Sequence, residues 1–279
     1  MYLEKHALIE NSFGVKSRCE FLAKTESIEE IMECLRFAKE NNLKVNILGR
    51  GTNILICNNE IVGLIISINN NLSDYSIQDN IITLQAGIGL SEASKIALKN
   101  RLSGLEFAEG IPGTIGGAIF GNAGAFGEII GTLVQKVKII DIEKLIVKEK
   151  KNLQFSHRQS NIEKNREIII EVELKLEKKN KKEIQEKMSL FREIKKETQP
   201  KERSAGCIFK NNQAGRIIDE LGLKGTKVGD AEISEKHANF IVNKGKAMGS
   251  DMLKLIEIIK KKAKKEKNID LELEISILK

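Results

Sequence analysis

The chemistry-bearing feature of this chain is a run of backbone rather than a cluster of side chains. Between Gly104 and Gly127 it reads GLEFAEGIPGTIGGAIFGNAGAFG, placing eight of its 22 glycines and one of its two prolines in 24 residues. The same stretch carries Ile, Ala and Phe, so it is no solvated linker. Glycine loses much freedom on folding and is best explained where φ is positive or where backbone closely approaches another group. Successive exposed N–H groups in such a loop cradle an anion, a phosphate above all. The alternative is a buried tight turn with close strand packing. A second turn, Leu48-Gly49-Arg50-Gly51-Thr52-Asn53, joins two apolar strands. Its glycines allow a sharp bend, and Thr52 and Asn53 can donate to phosphate or cap their own loop. No third glycine follows in G-x-G-x-x-G register and a strand comes next, so it is not a Rossmann fingerprint; no P-loop is present either.

Other chemistries find little support. Cys19, Cys34, Cys57 and Cys207 are scattered, and the histidines are His6, His157 and His237. That pattern supports neither a metal site nor a disulfide framework. The net charge of +7 suggests acidic partners. Much of the excess lies in solvated runs such as Glu177–Lys182 and Lys260–Lys267, without an arginine stripe or interleaved aromatics, so no nucleic-acid footprint is expected. An anionic small substrate fits equally well. No run approaches the ~20 apolar residues of a membrane span. The N-terminus lacks a basic stretch followed by an apolar core, so a cytoplasmic protein is expected.

These loops must be held by the surrounding elements. Ser27-Ile-Glu-Glu30 reads as a capping box, with Ile28, Ile31, Leu35 and Ala38 at helical spacing after it. Asn41-Asn42 ends that helix. Lys44–Leu48, Ile54–Cys57 and Leu64–Ile68 read as strands. Ile81–Ala86 is a strand, Ser91–Asn100 a short helix, and Val137–Ile140 with Lys144–Lys148 a hairpin. Glu167–Leu176 is a strand whose second half alternates. Ile184, Met188, Phe191 and Ile194 mark a helix leading to Pro200, a plausible boundary. Beyond it come a helix ending at Gly222, a strand Asn239–Asn243, a helix capped by Ser250 and an alternating strand Ile269–Ile277. The class expected is α+β with mixed sheets, in three parts: 1–69, 70–199 and 200–279.

Taken together, these segments resemble the UDP-N-acetylenolpyruvoylglucosamine reductases, flavoenzymes of peptidoglycan precursor synthesis. The Gly49–Asn53 turn is similar to that family's GxGSN loop. The long segment resembles its G-x-E-x-x-x-G-I-P-G-x-x-G-G-A signature and continues to Asn122-Ala-Gly124-Ala-Phe-Gly127. Arg158-Gln-Ser160 resembles YRxS, and Ala205-Gly206-Cys207-Ile208-Phe209-Lys210-Asn211 resembles AGSxFKNP. The stretches Ala231–Phe240 and Leu271–Ile275 complete a set spanning about residues 10–278. The short distance from Glu171 to Pro200 resembles the subgroup lacking an extra substrate-covering insertion.

The resemblance implies a vanillyl-alcohol-oxidase-type fold, with two FAD-binding lobes (1–69 and 70–199) and a C-terminal α+β substrate domain (200–279). It implies non-covalent FAD held by Gly49, Arg50, Gly51, Thr52 and Asn53, and by Ile111, Pro112, Gly113, Thr114, Gly116, Gly117 and Ala118. Asn122, Gly124, Ala125 and Gly127 would lie along the rest of the flavin. NADPH would reduce FAD, and the hydride would pass to C3 of UDP-N-acetylglucosamine enolpyruvate to give UDP-N-acetylmuramate. Arg158 matches the family's charge-stabilising arginine and Glu274 its second catalytic position. By pattern alone, Glu272, Glu274 and Ser276 share a solvent face. Cys207 stands where many members have a serine proton donor; its other reading is a buried structural cysteine. Lys210 and Asn211 would touch the substrate's diphosphate or sugar. His237 and Asn239 would contribute to substrate binding or else brace the loop before the 239–243 strand. A monomer is expected. This chain departs from the family at Asn212 (usually proline), at His157 (usually tyrosine) and at Lys16-Ser17 (usually a Gly-Gly pair). The rival readings are another FAD-linked oxidase or dehydrogenase of the same fold, and a non-catalytic nucleotide-sugar or RNA-binding protein.

Overall fold

Helical spacing of apolar residues behind a serine cap produces the helix Ile28–Glu40. The Ser27 side chain accepts the Glu30 N–H at 3.1 Å, and Ile31, Cys34, Leu35 and Ala38 form its buried stripe. In the computed structural model, residues 2–69, 71–164 and 167–278 are described. They gather into two compact units. One holds the chain up to Lys5, Phe21–Arg50 and Gly63–Ile194; the other holds His6–Glu20, Gly51–Val62 and everything from Lys195 onward.

In the first unit the strand Val45–Leu48 runs parallel to Glu60–Ser67, Val45 opposite Leu64 and Leu48 opposite Ser67. A five-stranded antiparallel sheet follows, ordered Ile146–Lys150, Val134–Asp141, Glu167–Lys175, Ile81–Gln85, Tyr75–Gln78. Its central strand begins with the wholly buried run Glu167–Ile170 and alternates afterwards. The strand packs against the short helix Ile115–Phe120, and its alternating half shows one face to water. The helix Leu90–Lys99 buries Leu90, Ala93 and Ala97.

The second unit contains an antiparallel sheet of Lys227–Val228, Ala231–Ile233 and Ile241–Asn243, with the helices Ala214–Glu220 and Gly249–Lys267. Two expectations are corrected here. The last helix is capped by Met248, not Ser250: Asp251 Oδ2 accepts the Met248 N–H at 3.0 Å. Gly249 lies so close to the Ile56 carbonyl that a Cβ would collide with it, which fixes where the helix must start. The C-terminal segment is not one strand. Phe209 pairs with Leu273, Glu274 and Ile275 form a bend, and only Ser276–Leu278 continues as a strand, parallel to Ile54–Ile56. The segment changes partner at the bend, so side-chain alternation is broken there. The α+β class expected from the sequence is what is found. Among the described residues no helix is long and apolar enough to cross a membrane.

Candidate active site

The glycine loop is built against the strand-to-helix turn at residues 86–90. Leu90 donates to the Gly113 carbonyl (3.0 Å), Ile115 to Ile88 (2.8 Å) and Gly116 to Ala86 (2.9 Å). Thr114 caps the Ile115–Phe120 helix, its Oγ1 accepting the Gly117 N–H at 3.3 Å. The glycines then divide by what a Cβ would meet. At Gly116 it would come within 2.9 Å of the Ala86 Cβ, and at Gly124 it would strike the Glu128 carbonyl, so these two are packing glycines. Gly110 (φ +73°) and Gly127 (φ +82°) are left-handed and face open space. Close packing therefore explains some glycines of the segment, and left-handed backbone explains others. Gly49 is seated on the loop, its missing Cβ 2.9 Å from Thr114 Oγ1, and the Arg50 guanidinium lies beside Gly89 while its Nε donates to Asn69 Oδ1 at 3.3 Å.

Whether this loop and the Gly49–Asn53 turn suit a pyrophosphate can be read from their donors. Among the described residues the backbone N–H groups of Gly113 and Thr114, and those of Thr52 and Asn53, meet no acceptor. Gly117 and Pro112 are exposed beside them. Unmet backbone donors at Gly113 and Thr114, in a glycine-rich loop that carries no cationic side chain of its own, match a phosphate-bearing group such as that of FAD, and Arg50 in the Gly49–Asn53 turn adds a cation.

Arg158 sits in a two-residue turn with His157, between Phe155–Ser156 and Gln159–Ser160. Its φ of +56° is left-handed, a conformation costing a non-glycine residue ~1–3 kcal/mol and persisting only where the surroundings impose it. Two straps impose it. Ser160 Oγ donates to the Phe120 carbonyl at the end of the loop helix (2.8 Å), and Asn122 Nδ2 donates to the Ser156 carbonyl (2.8 Å). Asn122 is buried, with its own φ at +45°, and its Oδ1 accepts the Gly131 N–H at 3.0 Å. The structure thus brings Arg158 and the glycine loop together, and Asn122 spends its amide on holding them. His157 is exposed and Arg158 half-buried.

In the second unit Cys207 follows the left-handed Gly206 (φ +79°), whose Cβ side is open, and is itself half-buried. The segment after it is laced to residues 270–274: Glu274 donates to the Ile208 carbonyl (2.8 Å) and Lys210 to that of Glu272 (3.0 Å). This places Glu274 beside the Cys207 segment and, at the bend, half-buried rather than on a free solvent face. Asn53 fixes the bend, Nδ2 donating to the Glu274 carbonyl (3.0 Å) and its own carbonyl accepting the Ser276 N–H (3.0 Å). Asn239 clamps Phe209, accepting its N–H at 3.0 Å and donating to its carbonyl at 2.8 Å. Asn211 accepts the Glu272 N–H and donates to Asp270. Lys210 pairs with Glu272 at 2.7 Å, and that hydrogen bond holds the Glu272 carboxyl below its usual range. His237 Nδ1 lies 3.3 Å from the Asn239 N–H; burial pushes its pKa down, with Lys224 adding to it, so the neutral ring accepts there. Asn211, His237 and Asn239 therefore act first as braces. Cys34, fully buried, has its thiol pushed up to about 11 by burial and by Glu30, and is structural.

Glu109 is a residue the motif reading passed over, and Glu106 is one that stands in the signature without a role assigned. They are the two acids in the Gly104–Gly127 stretch and both are buried. Their signal was available: a charge inside an apolar, glycine-rich segment requires a partner.

Comparison with known proteins places these features. A family model described as an FAD binding domain matches residues 20–144, and one described as the UDP-N-acetylenolpyruvoylglucosamine reductase C-terminal domain matches residues 199–278. A UDP-N-acetylenolpyruvoylglucosamine reductase of Clostridium novyi is 38% identical over 283 residues, covering 99% of this chain and 92% of that protein. One of Pseudothermotoga lettingae is 44% identical over 236 residues, covering 83% and 82%. The crystal structure of the Thermus caldophilus reductase superposes over the full length of both chains with a TM-score of 0.85 at 30% identity. On that full-length agreement, this chain belongs to the UDP-N-acetylenolpyruvoylglucosamine reductase family.

Proposed function

We propose that Arg158, Cys207 and Glu274 carry out the NADPH- and FAD-dependent reduction of UDP-N-acetylglucosamine enolpyruvate to UDP-N-acetylmuramate, in the cytoplasm and as a monomer. Bound FAD supplies a two-electron carrier between NADPH and C3 of the enolpyruvyl group. The N–H groups of Gly113 and Thr114, and those of Thr52 and Asn53, would hold its pyrophosphate, the Gly49–Asn53 and Ile111–Ala118 segments would contribute to binding it, and Asn122–Gly127 would meet its remainder. Residues 200–279 supply the substrate-binding part.

When a hydride reaches C3, negative charge develops at C2 and the adjoining carboxylate. Arg158, permanently cationic, stabilises that charge through paired charge-assisted hydrogen bonds. Cys207 then delivers the proton from Sγ to C2; an ordinary thiol, with a pKa near ~8.5, is mostly protonated at neutral pH. Glu274 hydrogen-bonds the substrate carboxyl, and Lys210 offers a cation to the diphosphate.

The observation that most directly supports this reading is the left-handed turn at Arg158, strapped to the glycine loop through Ser160 and Asn122. Strained non-glycine positions cluster at functional sites, and this one is tied by two hydrogen bonds to the loop read as the cofactor's. The test is anaerobic reduction of the purified chain with NADPH, followed by the enolpyruvyl nucleotide sugar. Rapid return of the oxidised flavin spectrum is expected; a flavin that stays reduced refutes the assignment.

A further inference from the structure

The helix Lys181–Thr198 carries three side chains that reach the two ends of the glycine loop. At the start of the loop, Arg192 donates through Nη2 (2.8 Å) and Nε (3.2 Å) to Glu109 Oε1. The other oxygen of Glu109 accepts from Ser91 and Ser94, each at 3.3 Å, and Ser91 Oγ accepts the Gly110 N–H at 3.1 Å. The relay therefore ends on the backbone of a left-handed glycine that faces open space. Glu109 is 6% exposed in its side chain while Arg192 is 56% exposed, so the arginine meets a buried charge from the surface.

At the far end of the loop, Phe126 and Gly127 are consecutive left-handed residues (φ +57° and +82°). Phe191 stacks on Phe126 with ring centroids 4.2 Å apart and planes 6° from parallel. Lys187 pairs with Glu128 and lies 3.8 Å from Glu106 Oε2. Phe191 belongs to the helix's buried stripe with Ile184 and Met188, and Lys187 and Arg192, about 140° apart around the axis, flank that stripe on either side.

We propose that this helix is a brace that pre-forms the cofactor loop, with Arg192, Phe191 and Lys187 as positioning residues for FAD. The proposal rests on the reading of Gly110–Gly127 as the flavin loop. The loop has open glycines and strained left-handed residues at both ends, so a free loop would populate many conformations. A ligand binding only the formed loop loses apparent affinity in proportion to the fraction formed. Freeing either end lowers that fraction without removing any group that would touch the flavin.

The experiment uses the full-length chain and compares wild type with Arg192→Gln, Arg192→Lys and Phe191→Leu. Three quantities are read: the FAD dissociation constant from flavin fluorescence, the rate of flavin release after dilution of the holoprotein, and amide hydrogen exchange along the chain. Arg192→Gln is expected to weaken FAD binding about tenfold, as a formed fraction cut to about a tenth requires. Release should speed up, and added exchange should be confined to residues 104–128. Arg192→Lys should fall between, and Phe191→Leu should move the same way with exchange gained mainly at 124–128. Unchanged affinity in both Arg192→Gln and Phe191→Leu overturns the brace. So does exchange that rises equally through the five-stranded sheet, since that marks general loosening. A wild-type chain that takes up no FAD overturns the flavin reading and the brace with it.

Discussion

Replacing Arg158 by glycine separates what this residue does for the reaction from what it costs the fold. Its left-handed φ of +56° carries a penalty of ~1–2 kcal/mol that glycine does not incur. Glycine loses ~0.5–1 kcal/mol more backbone freedom on folding. The difference makes Arg158→Gly about 0.5 kcal/mol more stable than Arg158→Ala, which also lacks the guanidinium but keeps the strained backbone, a midpoint rise of ~1–2 °C for a chain of this size. Function moves the other way. Losing a preorganised group aimed at developing negative charge costs ~2.7–4 kcal/mol, or about 10²–10³ in rate. Stopped-flow absorbance of the flavin would show both variants reduced by NADPH within about twofold of wild type, while return of the oxidised spectrum on adding the enolpyruvyl sugar slows by that factor. An Arg158→Gly chain less stable than Arg158→Ala would refute the strain argument. Undiminished reoxidation would refute the charge argument.

Cys207→Ala should spare reduction by NADPH and abolish reoxidation by substrate, whereas Cys207→Ser should turn over while losing sensitivity to peroxide; peroxide sensitivity that persists in the serine variant would assign it to another cysteine. Gly116→Ala should cost the fold ~1–3 kcal/mol in urea unfolding because the new methyl meets Ala86, while Gly127→Ala, in open space, should cost only the left-handed penalty of ~1 kcal/mol and show its main effect as weaker FAD binding. His237 is held neutral in the fold, so the unfolded chain binds more protons as pH falls through the ordinary value of 6.5; stability is full above that pH and declines below it. His237→Asn, which keeps an acceptor for Asn239, should flatten the urea midpoint between pH 6.5 and 5.5, and an unaltered slope would remove His237 from the account.

Elements with strong local signals were legible from the sequence. The Ser27 cap and the Ile31, Leu35, Ala38 spacing gave the first helix to within a residue, and Glu167–Leu176 showed its buried and half-buried halves directly. Strands lacking alternation were not. Leu3–Glu10 is interrupted by a left-handed His6 (φ +51°), and Lys16–Lys24 buries Ser17 and Cys19, so neither displays an apolar period of two. The segment 269–277 failed in the opposite sense. Its alternation is perfect in composition, yet the backbone bonds first to residues 208–211 and then to 54–56, and a change of partner leaves no mark on side-chain pattern. The same limit applies to the site. Glycines reveal that a loop approaches something closely; only the neighbouring atoms separate Gly116, which meets Ala86, from Gly127, which meets nothing.

Neutral amides hold nearly every part of this site in position. Asn122 fixes the Arg158 hairpin, Asn239 both sides of Phe209, Asn211 the Glu272 backbone and Asn53 the carbonyl of Glu274. Asn122, Asn239 and Asn211 each use the side-chain donor and acceptor at once, which a single charged group cannot do, and Asn53 donates through its amide. The choice has an electrostatic consequence. A carboxylate brace beside Arg158 would offset the cation that must meet developing negative charge, and a lysine brace beside Cys207 would draw the thiol toward thiolate and away from proton donation. Amides fix the backbone without adding net charge, so in the proposed mechanism Arg158 and Cys207 would keep the charge that each step requires. Charged bracing is found at the Lys210–Glu272 pair and at the two ends of the glycine loop, where Glu109 meets Arg192 and Glu128 meets Lys187. There the ion pairs act on backbone geometry, and strength of holding matters more than neutrality.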